Sequence, residues 1–83
     1  MSTLAIEVNP LAEAIDFTAD ELIVSLVDGR KVSVPLTWYP RLAVADDKQR
    51  ARCELLGDGQ GIHWPDIDED LSVSGILKGA HYD

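Results

Sequence analysis

Asp28-Gly29-Arg30-Lys31-Val32-Ser33-Val34-Pro35-Leu36-Thr37-Trp38-Tyr39-Pro40-Arg41-Leu42 is the segment from which most of the fold can be read. It opens with a turn signal, because Asp-Gly is a pair that two-residue type I′ turns between strands prefer. Residues 21–27 before it are rich in leucine and β-branched side chains, and the residues after it alternate apolar with polar side chains. The segment therefore predicts a β-hairpin whose second strand ends at Pro35, since proline cannot donate a ladder hydrogen bond.

Short helices are predicted after this hairpin. Thr37 is expected to cap a helical turn over residues 38–42, with Pro40 in the first turn, where an amide has no helical partner. Residues 46–52 place acids before bases, the order that suits a helix dipole. Near the end, Ser72 is expected to cap a last helix that stops at Gly79. The apolar stripe of that helix is Val73, Ile76 and Leu77.

A second hairpin is predicted from residues 53–56 and 62–65, which flank a glycine-rich turn at 57–61. A further strand is expected to end near Phe17. The predicted class is α+β, a small antiparallel sheet of two hairpins with two or three short helices. Residues 1–83 are expected to form one domain, with an N-terminal arm or edge strand at 1–10, a core domain at 11–79 and a tail at 80–83.

Charge is distributed unevenly along this acidic chain, whose net charge is −8. Residues 1–29 carry six acids and no base, residues 30–52 carry six bases and two acids, and residues 53–83 carry seven acids and one base. Such an excess of negative charge disfavours non-specific binding to nucleic acid. No long apolar run or signal peptide is present, so we expect a cytoplasmic protein without membrane contact. The single cysteine, Cys53, is then expected to be a reduced, buried small hydrophobe.

The acidic run Asp66, Asp68, Glu69 and Asp70 is the most pronounced candidate for chemistry. With His63 it could bind Mg²⁺ or Ca²⁺, but its spacing lacks the alternating oxygen ligands and the glycine of a calcium loop. The favoured interpretation is structural: the acids close a turn, favour a helix N-terminus, and one of them pairs with Arg41. We therefore predict no metal site.

Catalytic patterns are also absent from the sequence. Gly57-x-Gly59-x-Gly61 leads into a strand and fits a hairpin turn better than a phosphate-binding loop. His63 is expected to be a strand residue whose ring nitrogens have hydrogen-bond partners. No nucleophile and base have a spacing in the sequence that indicates a catalytic pair. Trp38, Tyr39 and Trp64 are most simply core aromatics, although an exposed one would serve as an interface anchor. We predict neither an enzyme nor a cofactor.

Three motifs in order closely resemble domain-of-unknown-function family 2442. They are Asp28-Gly29-Arg30, Pro35-Leu36-x-Trp38-Tyr39-Pro40-Arg41-Leu42, and Gly61-Ile62-His63-Trp64-Pro65-x-Ile67-Asp68-Glu69-Asp70-Leu71-Ser72-Val73-x-Gly75-Ile76-Leu77. The resemblance implies two roles. Some longer proteins of this kind carry a helix-turn-helix segment and look like transcription regulators, and short ones are often encoded beside a small partner in what look like toxin–antitoxin pairs.

Two functions follow as expectations. The first is a non-catalytic protein-interaction module, antitoxin-like or a regulatory subunit, that binds a protein partner or itself as a homodimer. Its candidate partner surface consists of Trp38, Tyr39, Arg41, His63, Trp64, Asp66, Asp68, Glu69 and Asp70. The alternative is a DNA-binding component of a transcription regulator that uses the basic side chains Arg30, Lys31, Lys48, Arg50 and Arg52. We expect no tight nucleic-acid binding by this chain alone.

Overall fold

Two three-stranded antiparallel sheets follow one another in the computed structural model, which describes residues 10–79. The first contains β1 (Ala12–Phe17), β2 (Glu21–Leu26) and β3 (Lys31–Pro35), and the second contains β4 (Glu54–Leu56), β5 (Gly61–Trp64) and β6 (Glu69–Ser72). A 3-10 helix (Leu36–Trp38), α1 (Pro40–Val44) and α2 (Asp47–Ala51) join the sheets, and α3 (Val73–Lys78) follows β6. The α+β class is confirmed, with each predicted hairpin enlarged by a third strand into a sheet of its own.

The first sheet is built around β2, which pairs with β1 on one side and β3 on the other. Val24 lies opposite Ile15 and Val32, so one face of the sheet is apolar across all three strands. The alternation in β2 puts Leu22 and Leu26 on that same face, where both are buried. Burial of this face against the second half of the chain holds the sheet in place.

The turn between β2 and β3 differs from the predicted two-residue type I′ turn. Leu26 and Arg30 are bonded across a three-residue loop, because the Leu26 amide donates to the Arg30 carbonyl at 2.7 Å and the Gly29 amide donates to the Leu26 carbonyl at 3.0 Å. Gly29 has the expected positive φ, 98°. Asp28 does not, and its carboxylate accepts from the Arg30 amide at 3.0 Å. This geometry is a turn followed by a glycine bulge, the usual three-residue hairpin loop.

The aromatic segment after Pro35 is helical, but Thr37 does not cap it. Thr37 lies inside the 3-10 helix, and neither that helix nor α1 has a side-chain hydrogen bond at its N-cap. Pro40 occupies the first position of α1, as predicted. In α2, Asp46 and Gln49 form a reciprocal capping box, which gives so short a helix a defined start.

The acidic segment contains a strand where the sequence predicted only a turn and the start of a helix. Residues 69–72 form β6 and pair with β5, with Trp64 opposite Glu69 and Ile62 opposite Leu71. Leu71 therefore belongs to a strand. Ser72 is the N-cap of α3, accepting from the Gly75 amide at 2.9 Å, and Gly79 ends the helix at a φ of 84°, both as predicted.

A shared core connects the two sheets. Buried side chains from both sheets and from α1 and α3 belong to one cluster, in which Trp64 and Leu42 are fully buried. The Ala12 amide also donates to the Gly59 carbonyl at 2.8 Å, which fixes the second hairpin turn against the start of β1. The predicted apolar stripe of α3 is only partly buried, because Leu77 remains 39% exposed.

The predicted N-terminal arm, apart from Pro10, and the predicted tail at 80–83 lie outside the described residues. Within residues 10–79, no helix is long and apolar enough to cross a membrane.

Candidate interaction surface

One ion pair lies on the outer face of the second sheet. The register places Glu54 of β4 and Asp70 of β6 on either side of His63 in β5. The His63 Nδ1 atom forms a short hydrogen bond with an Asp70 carboxylate oxygen. This bond, more than the charges of Asp70, Glu54 and Asp68, raises the pKa of His63 above its ordinary value of 6.5. The prediction of a strand histidine with a satisfied ring is confirmed.

The turn before β6 is held by two arginines. Arg41 Nη1 donates to the backbone carbonyl of Asp68 at 2.6 Å, and Arg52 forms an ion pair with Asp66 at 3.2 Å. Asp68 has a positive φ of 53°, which aspartate tolerates better than most residues in a tight turn. Arg41 thus lies next to the acidic segment, as predicted, but the ion pair belongs to Arg52.

Three residues of the predicted partner surface are buried and must be removed from it. Tyr39 and Trp64 are 1% and 0% exposed, and Glu69 is 5% exposed. The Trp64 indole donates from Nε1 to the Arg50 carbonyl at 3.0 Å, so its polar atom is satisfied inside the core. The two large aromatic side chains fill the interior of a small domain, and spacing alone did not distinguish them from surface anchors.

The other six predicted surface residues are exposed or half-buried. They are Trp38, Arg41, His63, Asp66, Asp68 and Asp70. His63 and Asp70 lie on one sheet face, whereas Asp66 and Asp68 lie in the turn where Arg41 makes its contact. Across residues 10–79, no three His, Cys, Asp or Glu side chains come close enough together to hold a metal ion.

Most of the basic segment is occupied by contacts within the domain. Arg30 forms an ion pair with Asp28 at 2.8 Å. The partly buried Arg50 guanidinium donates to the carbonyls of Leu42 and Ala43 at 2.9 and 3.0 Å, where it closes the C-terminal end of α1. With Arg41 and Arg52 at the acidic turn, four of the six bases in residues 30–52 have an assigned structural contact.

Sequence reasoning missed β4 as a surface. All three of its residues are exposed, and Leu55 and Leu56 retain 40% and 43% exposure. Because neighbouring strand residues point to opposite faces, each face of β4 carries one leucine, and Glu54 shares the face of Leu56. Two consecutive leucines in a short strand were the available signal, since a strand with one buried face normally alternates apolar with polar side chains.

Cys53, which precedes β4, is half-buried and packs against the core. Burial raises the pKa of its thiol, which favours the protonated form. A low pKa is what activates a cysteine nucleophile, so the environment of Cys53 suits packing better than reaction.

Comparison with known proteins places the chain among proteins without an assigned role. The family described as "Protein of unknown function (DUF2442)" matches residues 12–82. A crystal structure of a protein of unknown function from Rhodospirillum rubrum is 33% identical and has a TM-score of 0.75, covering 89% of this chain and 92% of its own. An uncharacterized protein from Chromobacterium violaceum, solved in solution by NMR, is 17% identical with a TM-score of 0.73. The match covers 88% of this chain and 69% of that protein. The latter shows a shared fold alone. No curated protein matches.

Proposed function

Given that the chain belongs to the DUF2442 family, we propose that this domain is a non-catalytic protein-interaction module that binds another polypeptide at β4. The observation that carries the proposal is the exposed apolar strand, with Leu55 and Leu56 on its opposite faces. Strand addition at a sheet edge supplies main-chain hydrogen bonds, and side chains on both faces add contact area. In the cytoplasm such a module would act as an antitoxin-like or regulatory subunit.

The charge of the domain supports a protein partner over duplex DNA. A net charge of −8 repels phosphate, and four of the bases in the basic segment already make structural contacts. DNA readers usually place a helix or a two-stranded ribbon in the major groove. In the described part of the chain, the longest helix is α3, which has 6 residues.

The proposal is tested by co-expressing the full chain with the product of the adjacent gene and measuring complex mass by size-exclusion chromatography with light scattering. A parallel arm measures the self-association of the chain. We expect a complex or a dimer that is lost in Leu56→Lys, because an edge lysine opposes strand addition. Val44→Lys is the matched control, since Val44 is also apolar and 85% exposed but lies on α1.

The same preparations are tested for binding to the DNA upstream of their own gene in a mobility-shift assay. Submicromolar, salt-sensitive DNA binding by the isolated chain would contradict the proposal and favour a regulator that binds through its basic side chains. The proposal would also be contradicted if the chain bound neither the adjacent gene product nor itself. The same holds if the Leu56→Lys variant bound as tightly as the unmodified chain.

A further inference from the structure

A cleft separates β1, an outer strand of the first sheet, from α2 and the residue that precedes β4. It encloses about 260 Å³. Ile15, Phe17 and Cys53 line it, and all three are half-buried and pack against the shared core. Sites for drug-sized ligands enclose roughly 300–1,000 Å³. The smaller cleft suits a single side chain of another polypeptide.

Two carboxylates line the cleft, one from each wall. Asp16 belongs to β1 and Asp47 to the first turn of α2, and both residues are exposed. Neither carboxylate forms a hydrogen bond or an ion pair with any residue that the structure describes. Bonds between a carboxylate and a cationic donor are about twice as strong as bonds between neutral groups. Both carboxylates are therefore available to a cation from outside the domain.

The cation that lines the cleft, Arg50, already has partners inside the domain. Its guanidinium donates to the carbonyls of Leu42 and Ala43 at 2.9 and 3.0 Å. The same group lies 5.8 Å from the centroid of the Phe17 ring. These contacts fix the guanidinium against α1 and β1, so it is poorly placed to clamp an anion. Two carboxylates and one guanidinium give the lining a net charge of −1, and the charges without a partner are both negative.

We propose that this cleft accepts a lysine or arginine side chain from a basic polypeptide. The hydrocarbon stem of such a side chain packs against Ile15, Phe17 and Ala51, while its charged head bonds to Asp16 and Asp47. Charge complementarity selects this occupant, because an anion is repelled by both carboxylates and a neutral side chain leaves them without a partner. The net charge of −8 attracts a basic polypeptide at longer range as well. The site goes beyond the proposed function, since it contains no residue of β4.

NMR titration of the isotope-labelled full chain with short peptides tests the occupant. The peptides have blocked termini and differ only in their central residue, which is arginine, lysine, citrulline or glutamate between pairs of glycines. Citrulline keeps the shape of arginine but lacks its charge. We expect the two cationic peptides to shift the amide signals of Ile15, Phe17 and Ala51 with a Kd of about 1–10 mM. The citrulline and glutamate peptides are expected to bind at least about fivefold more weakly.

Paired substitutions test the two carboxylates. The double variant Asp16→Asn with Asp47→Asn keeps the shape of the cleft and removes both charges, so it is expected to bind the arginine peptide at least about fivefold more weakly. The matched control is Asp20→Asn with Asp58→Asn, which changes the net charge equally at exposed residues that do not line the cleft. The control is expected to bind within about twofold of the unmodified chain. Thermal melts verify that both double variants remain folded.

Three results would overturn the cleft as a site for a basic side chain. The first is the absence of shifts around the cleft with the cationic peptides at about 20 mM. The second is equal or tighter binding of the citrulline or glutamate peptide. The third is an equal loss of binding in both double variants, which indicates general attraction to an acidic surface. The co-expression experiment with Leu56→Lys tests β4 separately, so failure of the titration leaves the proposed function standing, and the reverse also holds.

Discussion

At the residue scale, a few positions hold the two halves of the domain together. The Gly59 carbonyl accepts the Ala12 amide, and a Cβ at Gly59 would lie 2.3 Å from the Ala12 carbonyl oxygen. Gly59 therefore serves both the turn, through its φ of 107°, and the close approach of two backbones. Gly29 needs glycine for its φ alone, because a Cβ there would meet nothing within 4 Å.

This difference predicts unequal costs for the same substitution. We expect Gly29→Ala to lower the free energy of unfolding by about 1–2 kcal/mol, the cost of a left-handed backbone. Gly59→Ala is expected to cost about 1–3 kcal/mol more, because the backbones must also move apart. Urea denaturation of both variants measures the difference, and equal losses would show that the backbone contact at Gly59 can relax without cost.

The His63–Asp70 pair predicts a pH-dependent contribution to stability. The pKa of His63 is raised in the folded state, so the pair stabilises the domain fully below the ordinary value of 6.5 and loses its effect as pH rises through the folded pKa. Asp70→Asn should therefore unfold more easily than the unmodified chain at about pH 5.5 and equally at about pH 9.

NMR titration of the His63 ring gives the direct measurement, with His63→Gln used to assign its signals. We expect Asp70→Asn to lower the pKa of His63 towards its ordinary value. An unchanged pKa would mean that Asp70 does not hold the proton on the ring. Glu54→Gln is the matched control, because Glu54 lies across from His63 on the other neighbouring strand and acts through charge alone.

At the element scale, Arg50 of α2 connects α1, β1 and β5. Its side chain closes α1, its guanidinium carbon lies 5.8 Å from the Phe17 ring centroid of β1, and its carbonyl accepts from Trp64 of β5. α1 and α2 have 5 residues each, too few to be stable as isolated helices. Tertiary contacts of this kind therefore hold them in place.

We expect Arg50→Ala to destabilise the domain by about 1.5–3 kcal/mol, because the α1 carbonyls lose charge-assisted hydrogen bonds in a partly buried site. Arg50→Lys should recover only part of this loss, since lysine keeps the charge but lacks the planar fork. Lys48→Ala, an exposed change on the same helix, should stay within about 0.5 kcal/mol of the unmodified chain. Thermal and urea denaturation compare the stability of the three variants. If Arg50→Ala lost no more stability than Lys48→Ala, the contacts of Arg50 with α1 would not stabilise the domain.

At the scale of the whole molecule, a net charge of −8 makes self-repulsion part of the stability. Arg41→Ala and Arg52→Ala each remove one positive charge, so both make the net charge −9 and raise the self-repulsion of the chain equally. Only Arg52→Ala breaks an exposed ion pair, whereas Arg41 bonds to a backbone carbonyl. We expect salt to reduce the cost of Arg52→Ala more than that of Arg41→Ala. Melting temperatures measured at low and high salt check this, and identical salt responses would contradict it.

The linear sequence by itself determined the features that depend on neighbouring residues. Gly29 at a left-handed turn position, the end of β3 at Pro35, the Ser72 cap and the Gly79 stop follow from backbone sterics and hydrogen bonding over a few residues. The α+β class followed from the same local periodicities, and family membership from motifs along the chain. These features need no knowledge of what packs against them.

Only the tertiary structure decided which side chains are inside and which strands are added. The sequence did not predict β6, because a run of acidic residues is typical of a turn. In the structure, pairing with β5 buries Glu69 and Leu71 and leaves Asp70 between them exposed. Trp64 and Tyr39 are buried and do not belong to the candidate surface, whereas the two leucines of β4 are exposed and do. Exposure could not be predicted because it depends on contacts between residues distant in sequence. Local pattern specifies the elements, whereas the order of strands and the shared core determine the surface that a partner meets.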